Sequence, residues 1–131
     1  MIRESVSHAI LIADDDAECR SSLRDIFEPR GFHTYLAASG EEAIALVEVH
    51  AIDCLLLDMH MPDLNGLETL QIVRQVRASL PCIILTGDVS QQLVQRALSL
   101  HVFTVLPKPV SRELVTISVR RALRSIRHQA M

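Results

Sequence analysis

Short apolar runs recur along the chain, and each ends at a residue that can do chemistry. Ala9-Ile10-Leu11-Ile12-Ala13 runs into Asp14-Asp15-Asp16, and Cys54-Leu55-Leu56-Leu57 runs into Asp58. Cys82-Ile83-Ile84-Leu85 ends at Thr86, and Val102-Phe103-Thr104-Val105-Leu106 ends at Pro107-Lys108-Pro109. Continuous apolar runs of this length are the mark of strands buried on both faces, as in parallel sheets. The strands are predicted over residues 8–13, 32–36, 53–57, 81–86 and 102–106.

Between them lie segments of helical periodicity. The first covers about residues 16–28, with Cys19, Leu23, Ile26 and Phe27 inward, and Pro29-Arg30-Gly31 stops it. Ser39 is read as the N-cap of a helix to about residue 49, with Glu42 completing a capping box. Helices are also predicted over residues 67–78 and 89–100, and from Val110 or Ser111 to about residue 127. Met61-Pro62-Asp63-Leu64-Asn65-Gly66 is a loop by its turn residues.

Strand and helix therefore alternate five times, so the strands run parallel with right-handed crossovers. The predicted fold is α/β: a doubly wound, five-stranded parallel sheet of order 2-1-3-4-5 with five helices. Ligands of such sheets bind beyond the carboxyl ends of the strands, where the order reverses. Asp14, Asp15 and Asp58 end the two strands at that point.

Three carboxylates in one crevice raise one another's pKa unless a cation intervenes. Mg²⁺ suits such a site, because it takes one or two carboxylates, waters and phosphate oxygens. It would let an anionic phosphoryl donor approach Asp58, and aspartates do form phosphoryl intermediates. Lys108 can supply a second positive charge, and Thr86 a hydroxyl. Lys108-Pro109 is a candidate cis peptide. Singly, each residue has a plainer reading. Asp14-Asp15-Asp16 could favour a helix dipole, with Asp16 the best candidate for a simple cap, and Asp58 could be a turn residue. Their shared edge is what carries the functional reading.

Composition narrows the choice. A length of 131 residues suggests one domain, residues 1–131 with a core of about 8–127. The net charge is −3 and aromatics are 3%, which argues against direct nucleic-acid binding. No apolar stretch is long enough to span a membrane, and residues 1–5 lack a signal core, so a cytoplasmic location is expected. Cys19, Cys54 and Cys82 form no CxxC pair; Cys54 and Cys82 read as small buried hydrophobes. His8, His33, His50 and His128 lack metal-ligand spacing.

With these motifs in place, the chain resembles the receiver domains of the bacterial two-component response-regulator family over about residues 9–127. The resemblance rests on Leu11-Ile12-Ala13-Asp14-Asp15-Asp16, on the stretch from Leu55 through Asp58 to Gly66, on Leu85-Thr86-Gly87 and on Leu106-Pro107-Lys108-Pro109. It implies a flavodoxin-like fold. It implies that Asp58 accepts a phosphoryl group from a histidine kinase or a histidine phosphotransfer protein, so the domain is a signalling switch rather than a turnover enzyme. It implies that Asp14, Asp15, Asp58 and the backbone carbonyl of His60 hold Mg²⁺, that Thr86 and Lys108 contact the phosphoryl group, and that Pro62 and Gly66 shape the loop after Asp58. The partners to expect are that kinase or phosphotransfer protein, and an output domain or a second copy. The chain would be a stand-alone receiver or the N-terminal part of a longer regulator.

Several positions depart from the family pattern. Val105 stands where receivers carry Tyr or Phe, which puts the usual threonine-to-aromatic relay in question and makes the last strand more apolar. Phe103 is read as a core residue rather than a substitute switch. His101, in place of a small residue, is read as a helix C-terminal residue that complements the dipole. His60 and Asp88 lie two residues beyond Asp58 and Thr86 and are candidates for setting the phosphoryl lifetime. Arg120, Arg121, Arg124 and Arg127 form a basic face of the last helix, beside a stripe of Val115, Val119, Ala122 and Ile126. That face is a solvated surface or a docking surface. Three other classes are alternatives: a hydrolase of small phosphate esters, for which a second Asp is missing at His60; a nucleotide-binding module, for which both GxGxxG and the P-loop are missing; and a receiver that only binds partners.

Overall fold

The computed structural model describes residues 7–130, with side chains through Ser125. Expectations placed on residues 1–5 and on the side chains of Ile126, Arg127 and His128 lie outside the described residues. The strands are β1 (Ala9–Ala13), β2 (His33–Ala37), β3 (Cys54–Asp58), β4 (Cys82–Thr86) and β5 (Thr104–Pro107). The helices are α1 (Ala17–Phe27), α2 (Gly40–Val49), α3 (Gly66–Val76), α4 (Gln91–Ser99) and α5 (Arg112–Ala130). A 3₁₀ turn, Glu28–Arg30, follows α1, and Gly31 ends it at a φ of 92°. The sheet order is β2-β1-β3-β4-β5, parallel throughout, as the alternating pattern predicts.

Because side chains alternate across a strand, each central strand feeds two cores. Leu11, Ala13, Leu55, Leu57 and Ile84 face α2, α3 and α4, where Ala43, Val47, Leu67, Leu70, Val73 and Ala97 meet them. Ile10, Ile12, Cys54, Leu56, Ile83 and Leu85 face α1 and α5, meeting Leu23, Phe27, Val115 and Val119. Each leucine buried this way contributes about 1.5–3 kcal/mol. The stripe Val115, Val119 and Ala122 is thus buried against the sheet.

The helix starts follow local chemistry. The Asp16 side chain accepts from the Glu18 N–H, so Asp16 is a cap as predicted. Ser39 accepts from the Glu42 N–H, but Glu42 answers to Ala38 N–H at 3.3 Å rather than to Ser39, so the predicted box is only half formed. The complete capping box is at Asn65 and Glu68, which opens α3 directly after the loop.

One reading near β5 is corrected. Phe103 is not a core residue: the strand starts at Thr104, and Phe103 sits at a bend with 37% of its surface exposed. His101 lies just past α4 at a φ of 59°, in the left-handed region. The Val102 N–H bonds to Ala97 O and the His101 N–H to Leu98 O, a Schellman ending. His101 thus ends the helix, as read, with its backbone in the left-handed conformation that this motif uses. Val105 is half-buried and packs against the core on the α2–α4 side of the sheet.

Candidate functional site

The carboxyl edge of the sheet carries the site. Asp14 follows β1, Asp58 ends β3, Thr86 ends β4, and Lys108 follows β5. The register fixes their relation: Asp58 stands opposite Leu85, and Thr86 opposite Pro107. The Met59 N–H bonds to Leu85 O at 2.9 Å, and the Lys108 N–H to Thr86 O at 2.8 Å, which continues both pairings one step past the strands.

One carboxylate oxygen from each of Asp14, Asp15 and Asp58 lies within 4.8 Å of the others. Asp14 and Asp58 are buried, while Asp15 is exposed at the mouth. The Lys108 ammonium lies 2.8 Å from Asp14 Oδ2 and 3.2 Å from Asp58 Oδ1. The Lys108-Pro109 bond is cis, as the sequence suggests.

The two buried carboxylates are not equivalent. Burial pushes the Asp58 carboxyl above its ordinary value and the Asp14 charge adds to this, against the Lys108 ammonium. Burial would also raise Asp14, but hydrogen bonds from the Cys19 thiol, Lys108 and the Asp16 N–H outweigh it and hold the carboxyl below the ordinary range. Asp14 is thus held as an anion, and Asp58 is the strained member of the pair. Lys108 loses by burial but is raised overall by the Asp14 bond and by both carboxylate charges, so it stays cationic.

Two supports of the site were not read from the sequence. The Arg20 guanidinium donates to the Asp14 carbonyl at 2.6 Å, one turn into α1. Cys19, predicted only as an inward residue, has its thiol on the Asp14 carboxylate; burial and that bond push it up to about 12, so it is a donor and not a reactive thiolate. Its spacing from the Asp14-Asp15-Asp16 run is the only signal the sequence held. Cys54 and Cys82 are fully buried, as expected.

Thr86 is buried, and its hydroxyl is engaged by its own loop: it accepts from the Asp88 N–H at 3.0 Å and lies 3.2 Å from Asp88 O. Among the described residues the Thr86 hydroxyl makes no hydrogen bond to Asp58 or to the Lys108 side chain. His60 is exposed, and its N–H lies 3.4 Å from Asp58 Oδ1. Gly66 packs directly on the Asp58 backbone, where a Cβ would stand 2.6 Å from Asp58 O. The Gly66 N–H also bonds to Met59 O at 2.9 Å, so the loop closes back on the residue after Asp58.

This donor set fits a hard cation. Two oxygens on opposite sides of Mg²⁺ stand about 4.2 Å apart. The three aspartates already lie within 4.8 Å of one another, so small side-chain rotations would gather them.

A family model described as the response regulator receiver domain matches residues 10–120. The transcriptional regulatory protein CpxR of Escherichia coli K12 is 38% identical over 115 residues, 88% of this chain and 49% of that protein. The chain thus spans about half the length of that relative. Sporulation initiation phosphotransferase F of Bacillus subtilis is 29% identical over 118 residues, 90% of this chain and 95% of that protein. A CheY-like receiver domain from Methanospirillum hungatei superposes with a TM-score of 0.91 at 26% identity, covering 95% of this chain and 99% of that one. The CheX–CheY–BeF3–Mg complex from Borrelia burgdorferi matches with a TM-score of 0.82 at 30% identity, covering 86% of each chain.

Proposed function

The chain belongs to the response regulator receiver domain family, and from that premise we propose that Asp58 is its phosphoacceptor in a two-component phosphorelay. The observation that carries this reading is the meeting of Asp14, Asp15 and Asp58 with Lys108 at one sheet edge. The donor is a phosphohistidine on a histidine kinase or a histidine phosphotransfer protein. An Asp58 carboxylate oxygen attacks phosphorus, the phosphorus–nitrogen bond breaks, and its electron pair returns to the imidazole, which takes up a proton. The product is an acyl phosphate on Asp58.

Each neighbour has a role in that transfer. Asp14, Asp15, Asp58 and the His60 carbonyl would hold Mg²⁺, which supplies neutralising charge to the phosphoryl oxygens. Lys108 bridges Asp14 and Asp58 and would follow the charge onto the phosphoryl group. Thr86 would leave its Asp88 contacts to donate to a phosphoryl oxygen, and that exchange links the site to the loop before α4. With Val105 small and half-buried at β5, the readout passes through that loop more than through an aromatic swing. The domain promotes its own phosphorylation and turns over no separate metabolite.

We read residues 1–131 as a single receiver unit, serving alone or as the N-terminal part of a longer regulator. Phosphorylation alters its contact with a partner, an output domain or a second copy. The test is intact-mass analysis after incubation with acetyl phosphate, with Mg²⁺ and with a chelator. One phosphoryl group, gained only with metal and absent from Asp58→Asn, is the expected result. No metal-dependent adduct on the folded protein would overturn the reading.

A further inference from the structure

A second assembly of charge runs along α5. Arg112, Thr116, Arg120 and Arg124 recur every four residues along α5 and so share one ridge. Arg30, from the turn after α1, faces the same ridge, and its head is held by the Ile26 carbonyl. Like charges four residues apart on a helix are mutually destabilising. None of these four arginines lies within ion-pair distance of a carboxylate among the described residues. The chain as a whole is nevertheless acidic, with a net charge of −3.

The ridge borders a groove with an aromatic floor. A cleft of about 230 Å³ is lined by His8, Phe32, Arg120, Leu123 and Arg124. It shares His8, Phe32 and Arg120 with a neighbouring cleft that Arg30 and Gly31 enter. A third, of about 320 Å³, continues from Arg30 and Arg120 to Arg112 and Thr116, with Glu113 the one acidic residue in its lining. The Phe32 ring is braced edge-on by Phe27, at a centroid distance of 5.5 Å and 86° between planes, and the His8 ring lies 6.4 Å from it. Phe27 is fully buried, so the half-buried Phe32 ring rests on the core.

We propose that this groove binds a nucleotide, with its base against Phe32 and His8 and its phosphates along Arg30, Arg120 and Arg124. Guanidinium forks match phosphate oxygens, and a flat ring beside them suits a base. A small ligand fits better than a nucleic acid strand, because the acidic remainder of the chain repels an extended polyanion. His8 precedes β1 and Asp14 follows it, so groove and acidic site are about 20 Å apart. Binding here is therefore separate from the phosphoacceptor chemistry.

The test is amide chemical-shift mapping of the full chain, titrated with ATP, GTP or inorganic pyrophosphate in the presence of a chelator. A nucleotide should shift His8, Phe32, Arg120 and Arg124 while leaving Asp14 and Asp58 in place. Arg120→Ala with Arg124→Ala, both on the exposed ridge, should weaken binding about tenfold or more. Phe32→Leu should weaken the nucleotides but not pyrophosphate. An unchanged response of the Asp58 edge to Mg²⁺ shows that each variant is folded. The proposal is overturned if neither nucleotide shifts these residues at millimolar concentration. It is equally overturned if pyrophosphate binds as well as the nucleotides and Phe32→Leu changes nothing, which would leave only an anion patch.

Discussion

Lys108 and Asp14 are 94 positions apart in sequence and 2.8 Å apart in the fold. Their contact closes the edge of the sheet from β5 across to β1, and the same ammonium reaches Asp58 at 3.2 Å. Lys108 thus occupies carboxylate oxygens that a metal ion would also use.

Competition for those oxygens sets the first prediction. Lys108→Ala should bind Mg²⁺ several-fold more tightly, because the ion no longer displaces an ammonium from Asp14 and Asp58. The same variant should be phosphorylated more slowly by acetyl phosphate, having lost a cation beside the acceptor. Calorimetric titration with Mg²⁺ checks the first half, and intact mass against time the second. Unchanged metal affinity would separate Lys108 from the metal site.

The opposite shifts of the two buried carboxylates give a pH dependence. Asp58 is raised by burial and by Asp14, so its ionised form is less favourable in the folded chain than in the unfolded one. That cost is present above its folded pKa and is relieved as pH falls through it. Asp58→Asn should raise the neutral-pH melting temperature of the metal-free protein by about a few degrees, with the gain shrinking toward acid. Asp14 is lowered, so it contributes stability above its ordinary value of 3.8, lost as pH falls through the depressed folded value. Asp14→Asn should therefore destabilise at neutral pH. Melting curves of the two variants from pH 3 to 7 must diverge in sign; curves that move together would contradict the assignment.

Gly66 is where the loop touches the end of β3. A Cβ there would stand 2.6 Å from Asp58 O and 2.9 Å from Met59 Cα, both backbone atoms that cannot rotate away. Gly66→Ala should cost about 1–3 kcal/mol in urea unfolding and slow phosphorylation of Asp58. A wild-type unfolding midpoint would show that the loop yields without strain.

His60 and Asp88 stand exposed beyond Asp58 and Thr86. Replacing both with Ala should change the dephosphorylation half-life several-fold while leaving Mg²⁺ affinity within about twofold, because neither imidazole nor the Asp88 carboxylate belongs to the metal cluster. An unchanged half-life after stopped phosphorylation would remove them from control of the phosphoryl lifetime.

Much of the fold was legible because parallel strands buried on both faces leave a continuous apolar signature. Leu55, Leu56 and Leu57 sit in β3 where the run predicted, and Asp58 at its end. The margins were less legible. Phe103 belongs to an apolar run, yet strand pairing begins at Thr104 and leaves its ring at the surface. Asn65 and Glu68 form the full capping box that the pattern placed at Ser39 and Glu42, because which backbone N–H a glutamate reaches depends on the path of the chain into the helix. Arg74 shows the larger gap. Its guanidinium donates to the carbonyls of Leu80, Leu100 and His101, joining α3 to the turn beyond α4. Nothing in its local pattern separates it from a solvated arginine. Arg20 and Cys19 support Asp14 in the same concealed way. Asp58, its acidic neighbours and the lysine could be read from strand ends, whereas Cys19 and Arg20, which support Asp14, come from a helix face whose rotation only the packing decides.

The most direct measurement is to locate the phosphoryl group itself. The protein would be phosphorylated with acetyl phosphate and Mg²⁺, then treated with borohydride, which reduces an acyl phosphate to the alcohol. Peptide mass mapping should find homoserine in place of Asp58 and an unchanged Asp14 and Asp15. Reduction at Asp14 or Asp15, or an adduct that survives in Asp58→Asn, would contradict Asp58 as the acceptor.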